Sequence, residues 1–184
     1  MSRRGAVALA AAVRLGLAGC EPPPPPPGQL SLGTIDTQGR WVDLADVSGD
    51  AEVELVPGAQ GGFHVWLKYR ISGLSGRVRV SRIAERIGPG GTRQRVLTAP
   101  STVLELPADG SRWETPDPIP SFMCPTPIGV SVLDAPVEFL VTMEAADATD
   151  QPPATLARAA VTLRPRCPPE GDGTRPFCLQ ICKG

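Results

Sequence analysis

The sequence predicts an all-β fold: an antiparallel immunoglobulin-like β-sandwich with a disulfide-tied C-terminal tail. Three observations carry that prediction. Residues 63–71 alternate without a break, with Phe63, Val65, Leu67, Tyr69 and Ile71 on one face and His64, Trp66, Lys68 and Arg70 on the other. That is the period of a strand with one buried face, and a helix would scatter both sets. Glycine, proline and aspartate clusters then punctuate the chain at short intervals, as turns between strands require. Finally, no segment beyond the first 19 residues carries ten residues of helical period.

Taken in order, weaker strands are expected at residues 30–35 and 41–44, and a short one at 52–56. The long strand at 63–71 follows a glycine-rich turn. Further strands are expected at 78–83, 94–97, 103–106 and 130–133, with residues 81–87 also able to form one helical turn. Two more strands repeat the clean alternation. In one, Val137, Phe139, Val141 and Met143 oppose Glu138, Thr142 and Glu144; in the other, Ala157, Ala159, Val161 and Leu163 oppose Arg158, Thr162 and Arg164. Many short one-sided strands imply two sheets face to face. The immunoglobulin Cys…Trp…Cys spacing is absent, so the expectation concerns architecture alone.

One connection is unusually long. Residues 111–128 hold Pro116, Pro118, Pro120, Pro125 and Pro127 together with Trp113, Phe122, Met123 and Cys124. A structureless loop of that length is normally pinned or functional. Cys124 is the expected pin, and Trp113 and Phe122 are expected to cap one end of the core. Cys124, Cys167, Cys178 and Cys182 make an even set for two disulfides, with three possible connectivities. The tail, residues 166–184, has too little apolar material to fold alone, and a covalent tie to the 29–165 sandwich is the expected remedy.

The N-terminus predicts an address. Arg3 and Arg4 precede nine apolar residues, and Arg14 interrupts the run before it reaches the about 20 residues a membrane span needs. Leu17-Ala18-Gly19-Cys20 resembles the lipobox of bacterial lipoproteins. The resemblance implies cleavage of a signal peptide (residues 1–19) and acylation of Cys20 by two or three lipid chains, palmitate among them. Two or more chains anchor stably where one binds marginally. Glu21 is not the aspartate that resembles an inner-membrane retention signal, so the expected location is the bacterial outer membrane, on its periplasmic or cell-surface face. Residues 22–27 are six prolines, a polyproline II spacer of about 19 Å within the 20–28 segment. Removing the signal leaves 15 basic against 19 acidic residues, a net charge near −4, which excludes a nucleic-acid surface.

The one candidate motif is Gly58-Ala59-Gln60-Gly61-Gly62-Phe63-His64. Gly61 and Gly62 suit a tight turn into the long strand, and His64 and Trp66 open its polar face. With Trp41-Val42-Asp43-Leu44, residues 49–56 and Gly73-Leu74, it resembles a group of bacterial lipoproteins that share a G-x-Q-G-G-x-H signature on a β-sandwich. That resemblance covers residues 41–74 and implies no particular activity. Gln60, Gly61, Gly62, His64 and Trp66 are therefore candidate binding or turn-fixing residues, with the His64 ring expected to hydrogen-bond the turn. No nucleophile has a partner: G-x-S-x-G, H-E-x-x-H and phosphate-loop patterns are all missing. The expectation is a non-enzymatic envelope module that meets a protein or polysaccharide, with no cofactor and no metal. The alternatives are a metal-binding or metal-delivery lipoprotein using His64, Met123 or the tail thiols, and an enzyme of unrecognised type. The C-x₃-C pair, Cys178 and Cys182, lacks a βαβ setting and is short of zinc ligands.

Overall fold

A computed structural model describes residues 28–36, 38–45, 51–133, 135–147 and 153–184. The expected signal peptide, Cys20 and the six prolines lie outside the described residues. Among the described residues eleven strands form two sheets, and one short α-helix closes the tail. The first sheet is built on β5 (Phe63–Ser72). One edge of β5 pairs with β1 (Gln29–Ile35) and with the two-residue β4 (Val56–Pro57). Its other edge pairs with β8 (Trp113–Glu114) and β9 (Ile119–Cys124). β2 (Trp41–Asp43) extends the sheet beyond β1.

The second sheet has the order β3 (Ala51–Glu54), β11 (Thr155–Arg166), β10 (Val137–Ala145), β6 (Gly76–Ile87), β7 (Arg93–Leu106). All its pairs are antiparallel except β3 with β11. The parallel pair arises because the chain changes sheets: Leu55, fully buried, separates β3 in one layer from β4 in the other, and its N–H donates to the Arg166 carbonyl at 2.8 Å.

The two layers meet through the alternating faces read from the sequence. Phe63, Val65, Leu67, Tyr69 and Ile71 are each at most 1% exposed, and they face Val78, Val80, Ala84, Val137, Phe139, Val141, Met143 and Leu163. Each large apolar side chain so buried contributes about 1.5–3 kcal/mol. Charged and polar groups also enter this interior, Thr115 and Ser121 among them. Arg82 occupies an inward position of β6 and is 8% exposed; its Nη1 donates to the Pro120 carbonyl at 2.8 Å, a hydrogen bond that crosses from one sheet to the other. Tyr69, opposite, keeps its hydroxyl buried without a hydrogen-bond partner.

Four expectations are corrected. Residues 81–87 are strand, not a helical turn, because they continue β6 in register with β7 and β10. Residues 94–97 and 103–106 belong to a single strand, β7. Residues 130–133 form no strand; Val130 and Val132 are buried there in a loop, whose Val132 N–H reaches the Cys182 carbonyl at 3.3 Å. The 111–128 connection is not structureless either, since β8 and β9 lie within it. Ile119, Ser121 and Met123 alternate inward against Pro120 and Phe122. That register sends Phe122 to the outer face, 40% exposed, whereas Trp113 does pack against the core.

The tail folds as expected, under covalent restraint. Cys124 on β9 bonds Cys182, and Cys167 after β11 bonds Cys178 on α1 (Arg175–Ile181). The first bond closes 58 residues and joins the two sheets through the tail. Peptide mapping without reduction is expected to return these two pairs, and the Cys124→Ala/Cys182→Ala double variant to lose about 2–4 kcal/mol in urea unfolding. Equal stability of variant and parent would contradict the assignment.

Tyr69 gives a second test. Burial pushes its phenol up to about 12, and the positive charge of nearby Arg82 only partly opposes this. Because the folded value lies above the unfolded one of about 10, stability present below pH 10 falls as pH rises from there toward 12. Tyr69 is the chain's one tyrosine. Ultraviolet titration is therefore expected to show one ionisation displaced upward and coincident with unfolding, and Tyr69→Phe to remove it. A midpoint near 10 in the folded protein would refute the burial argument.

Candidate functional site

The glycine-rich motif forms the hairpin loop between β4 and β5. Gly58 N–H donates to the Gly62 carbonyl at 2.8 Å, and Gly61 N–H returns to the Gly58 carbonyl at 3.1 Å. Each glycine answers a different steric demand. Gly61 has φ +80°, a conformation L side chains rarely adopt. A Cβ on Gly58 would stand 2.1 Å from His64 Cε1. A Cβ on Gly62 would stand 2.3 Å from the Phe122 ring and 2.4 Å from the Cys124 carbonyl oxygen. The spacing Gly58…Gly62…His64 thus records two rings lying against a bare backbone.

His64 and Phe122 face each other across the β5–β9 ladder, with ring centroids 5.3 Å apart and edge to face. Trp66 continues the row along β5 at 6.4 Å from His64. Such edge-to-face contacts orient rings as well as burying them. The expected hydrogen bond from His64 to the turn is not made: His64 Nδ1 is buried without a partner, and the turn is closed by backbone groups alone. Gln60 is exposed at the loop tip. The imidazole fixes the loop by packing.

His64 and Trp66 are neighbours that open onto different grooves. His64, Gln60 and Phe122 border a groove of about 620 Å³ between β9 and β7, walled by Pro120, Pro125 and Thr126. Trp66 borders one of about 510 Å³ toward β3, with Ile35, Val56, Pro118, Glu52 and Glu54. Its indole Nε1 is buried there without a hydrogen bond. Farther along the same face the Arg70 guanidinium lies 4.0 Å over the Trp41 ring. Glu114 bridges Lys68 at 2.7 Å and Arg70 at 3.0 Å, and the Lys68 contact first, then that of Arg70, holds its carboxyl below the usual range. The outer face of the β5 sheet is therefore an aromatic row graded into a set of ion pairs.

Phe122 and Trp41 belong to this face, and sequence reasoning did not assign them to it, whereas the alternation of residues 63–71 had already placed Arg70 there. The signal for Phe122 was the inward alternation of Ile119, Ser121 and Met123, which three flanking prolines obscured. Nothing local pairs Arg70 with Trp41. No family model matches this chain, and none of the curated proteins compared with it matches. The Gly62→Ala variant is expected to lose about 1–3 kcal/mol of stability, because Phe122 must yield and the Cys124 carbonyl cannot. Urea unfolding within 0.5 kcal/mol of the parent would count against this account of the loop.

Proposed function

We propose that this protein is a lipid-anchored β-sandwich module of the bacterial envelope that binds a protein or polysaccharide partner and catalyses nothing. The observation that carries the binding half is the aromatic row of Phe122, His64 and Trp66, flanked by grooves on both sides. Planar rings on a sheet lose little entropy on binding and offer large amphipathic contact areas, which suits recognition of sugar rings or apolar side chains. The anchoring half rests on the sequence: the Leu17-Ala18-Gly19-Cys20 lipobox and the proline spacer. The non-catalytic half rests on chemistry, because the chain's single histidine has no nucleophile or carboxylate bonded to it.

Two measurements test it. Intact mass of the native protein is expected to begin at Cys20 and to carry a diacylglycerol and an amide-linked acyl chain; an unmodified terminus upstream would overturn the anchor. Immobilised protein is expected to retain an envelope protein or polysaccharide at least tenfold better than its Trp66→Ala/Phe122→Ala variant, with the two matched in unfolding midpoint. Equal retention by both would dismiss the outer face as the binding surface.

A further inference from the structure

Cys124 and the three cysteines of the tail do more than pair. The sulfurs of Cys167, Cys178 and Cys182 lie within 4.8 Å of one another, and Cys124 Sγ is bonded to that of Cys182 at 2.07 Å. The two disulfides touch: Cys178 Sγ and Cys182 Sγ are 3.8 Å apart, placed side by side by their four-residue spacing at the end of α1. Tetrahedral thiolate zinc has Zn–S bonds of about 2.3 Å, which sets its sulfurs about 3.8 Å apart. Cys124, Cys178 and Cys182 are fully buried, so the surroundings exclude competing water.

An access path exists as well. Cys167 is half-buried and borders a cavity of about 520 Å³. Glu52 and Glu54 sit on that cavity's rim, with Arg166 and Arg175 also on its lining. Glu52 is ion-paired with Arg166 on that lining. None of the four cysteines lines the grooves beside the aromatic row, although Glu52 and Glu54 border both this cavity and the Trp66 groove.

We propose that the reduced form of this cluster is a four-thiolate site for a soft divalent cation of the zinc class, and that metal and disulfides are alternative occupants of one cavity. A dithiol reductant supplies two electrons and two protons to each disulfide, giving four thiols and two oxidised reductant molecules. The cation then displaces four thiol protons to solvent and gains four Zn–S bonds, which leaves a site of net charge −2. The metal takes over the mechanical task of the disulfides: it holds α1 to β9 and to the end of β11. The two sulfurs already 3.8 Å apart are in place.

The test uses the full chain in a Cys20→Ser background, so that only these four thiols remain. It is reduced with a phosphine, freed of oxygen and titrated with cobalt(II) as a spectroscopic stand-in for zinc. The expected result is saturation at one cobalt per chain, with near-ultraviolet sulfur-to-metal bands and the visible bands of a tetrahedral ion, both abolished by one equivalent of zinc. Cys124→Ser and Cys167→Ser are each expected to weaken binding at least tenfold. Weak six-coordinate spectra, a stoichiometry other than one, or full affinity in either cysteine variant would overturn the proposal. If reduction unfolds the chain, circular dichroism is expected to show β-structure regained on adding zinc. Failure to regain it would equally refute the site.

Discussion

Everything in this fold is referred to the hydrogen-bonding of β5. A strand has two edges, and in β5 each edge is divided between two partners: β1 and β4 on one side, β8 and β9 on the other. A strand saturated in this way cannot slide, since a one-residue slip would turn Phe63, Val65, Leu67, Tyr69 and Ile71 outward all at once. The same register places Cys124 opposite Phe63 and Phe122 opposite His64. Core, disulfide and candidate binding face are thus consequences of one alignment. The glycine loop is its starting point, because the close approach of His64 and Phe122 to Gly58 and Gly62 fixes where β5 begins.

The polar interior has a related logic. An arginine on an inward strand position is costly unless its donors are used. Arg82 spends Nη1 on the Pro120 carbonyl, a bond that laces the β6 layer to β9 where aliphatic contact between the layers is replaced by polar groups. Tyr69 and Ser121 keep buried hydroxyls without partners in the same interior. The region is less well satisfied than the aliphatic core around Phe139 and Leu163. Its cost is tolerated because the β5 register leaves those side chains no other direction.

How much of this the sequence disclosed depends on how local each cause was. The strands β5, β10 and β11 were legible because period-two alternation is written into a few consecutive residues. The turn at Gly58–Gly62 was legible for the same reason, although the cause turned out to be ring packing and not a histidine hydrogen bond. β8 and β9 were hidden because Pro116, Pro118 and Pro125 flank them and Pro120 lies within β9, which tolerates it as an edge strand paired with β5 alone. Residues 81–87 were ambiguous in isolation, and β10 on one side with β7 on the other decided them. The Trp41–Arg70 stack and the Arg82–Pro120 bond join positions far apart in sequence, so no local pattern could announce them. The pairing of the cysteines was open among three arrangements for the same reason. It is set by where β9 and β11 end, not by spacing along the chain.

The placement of the Cys124–Cys182 bond also makes the molecule lopsided in its fluctuations. The bond joins β9, in one layer, to the tail that follows β11, in the other, close to where β5 begins. At the opposite end, where β5 finishes at Ser72 beside Gln29 and Trp113, the layers are held by side chains and single backbone bonds such as Gly28 N–H to the Leu156 carbonyl. Thermal breathing of the two layers therefore has a natural hinge at the cysteine end and its widest gape at the other. Amide protons near Ser72 and Leu156 are expected to exchange before those around Phe63. The chain enters β1 at the gaping end, so the sandwich is clasped at the far side from Gln29.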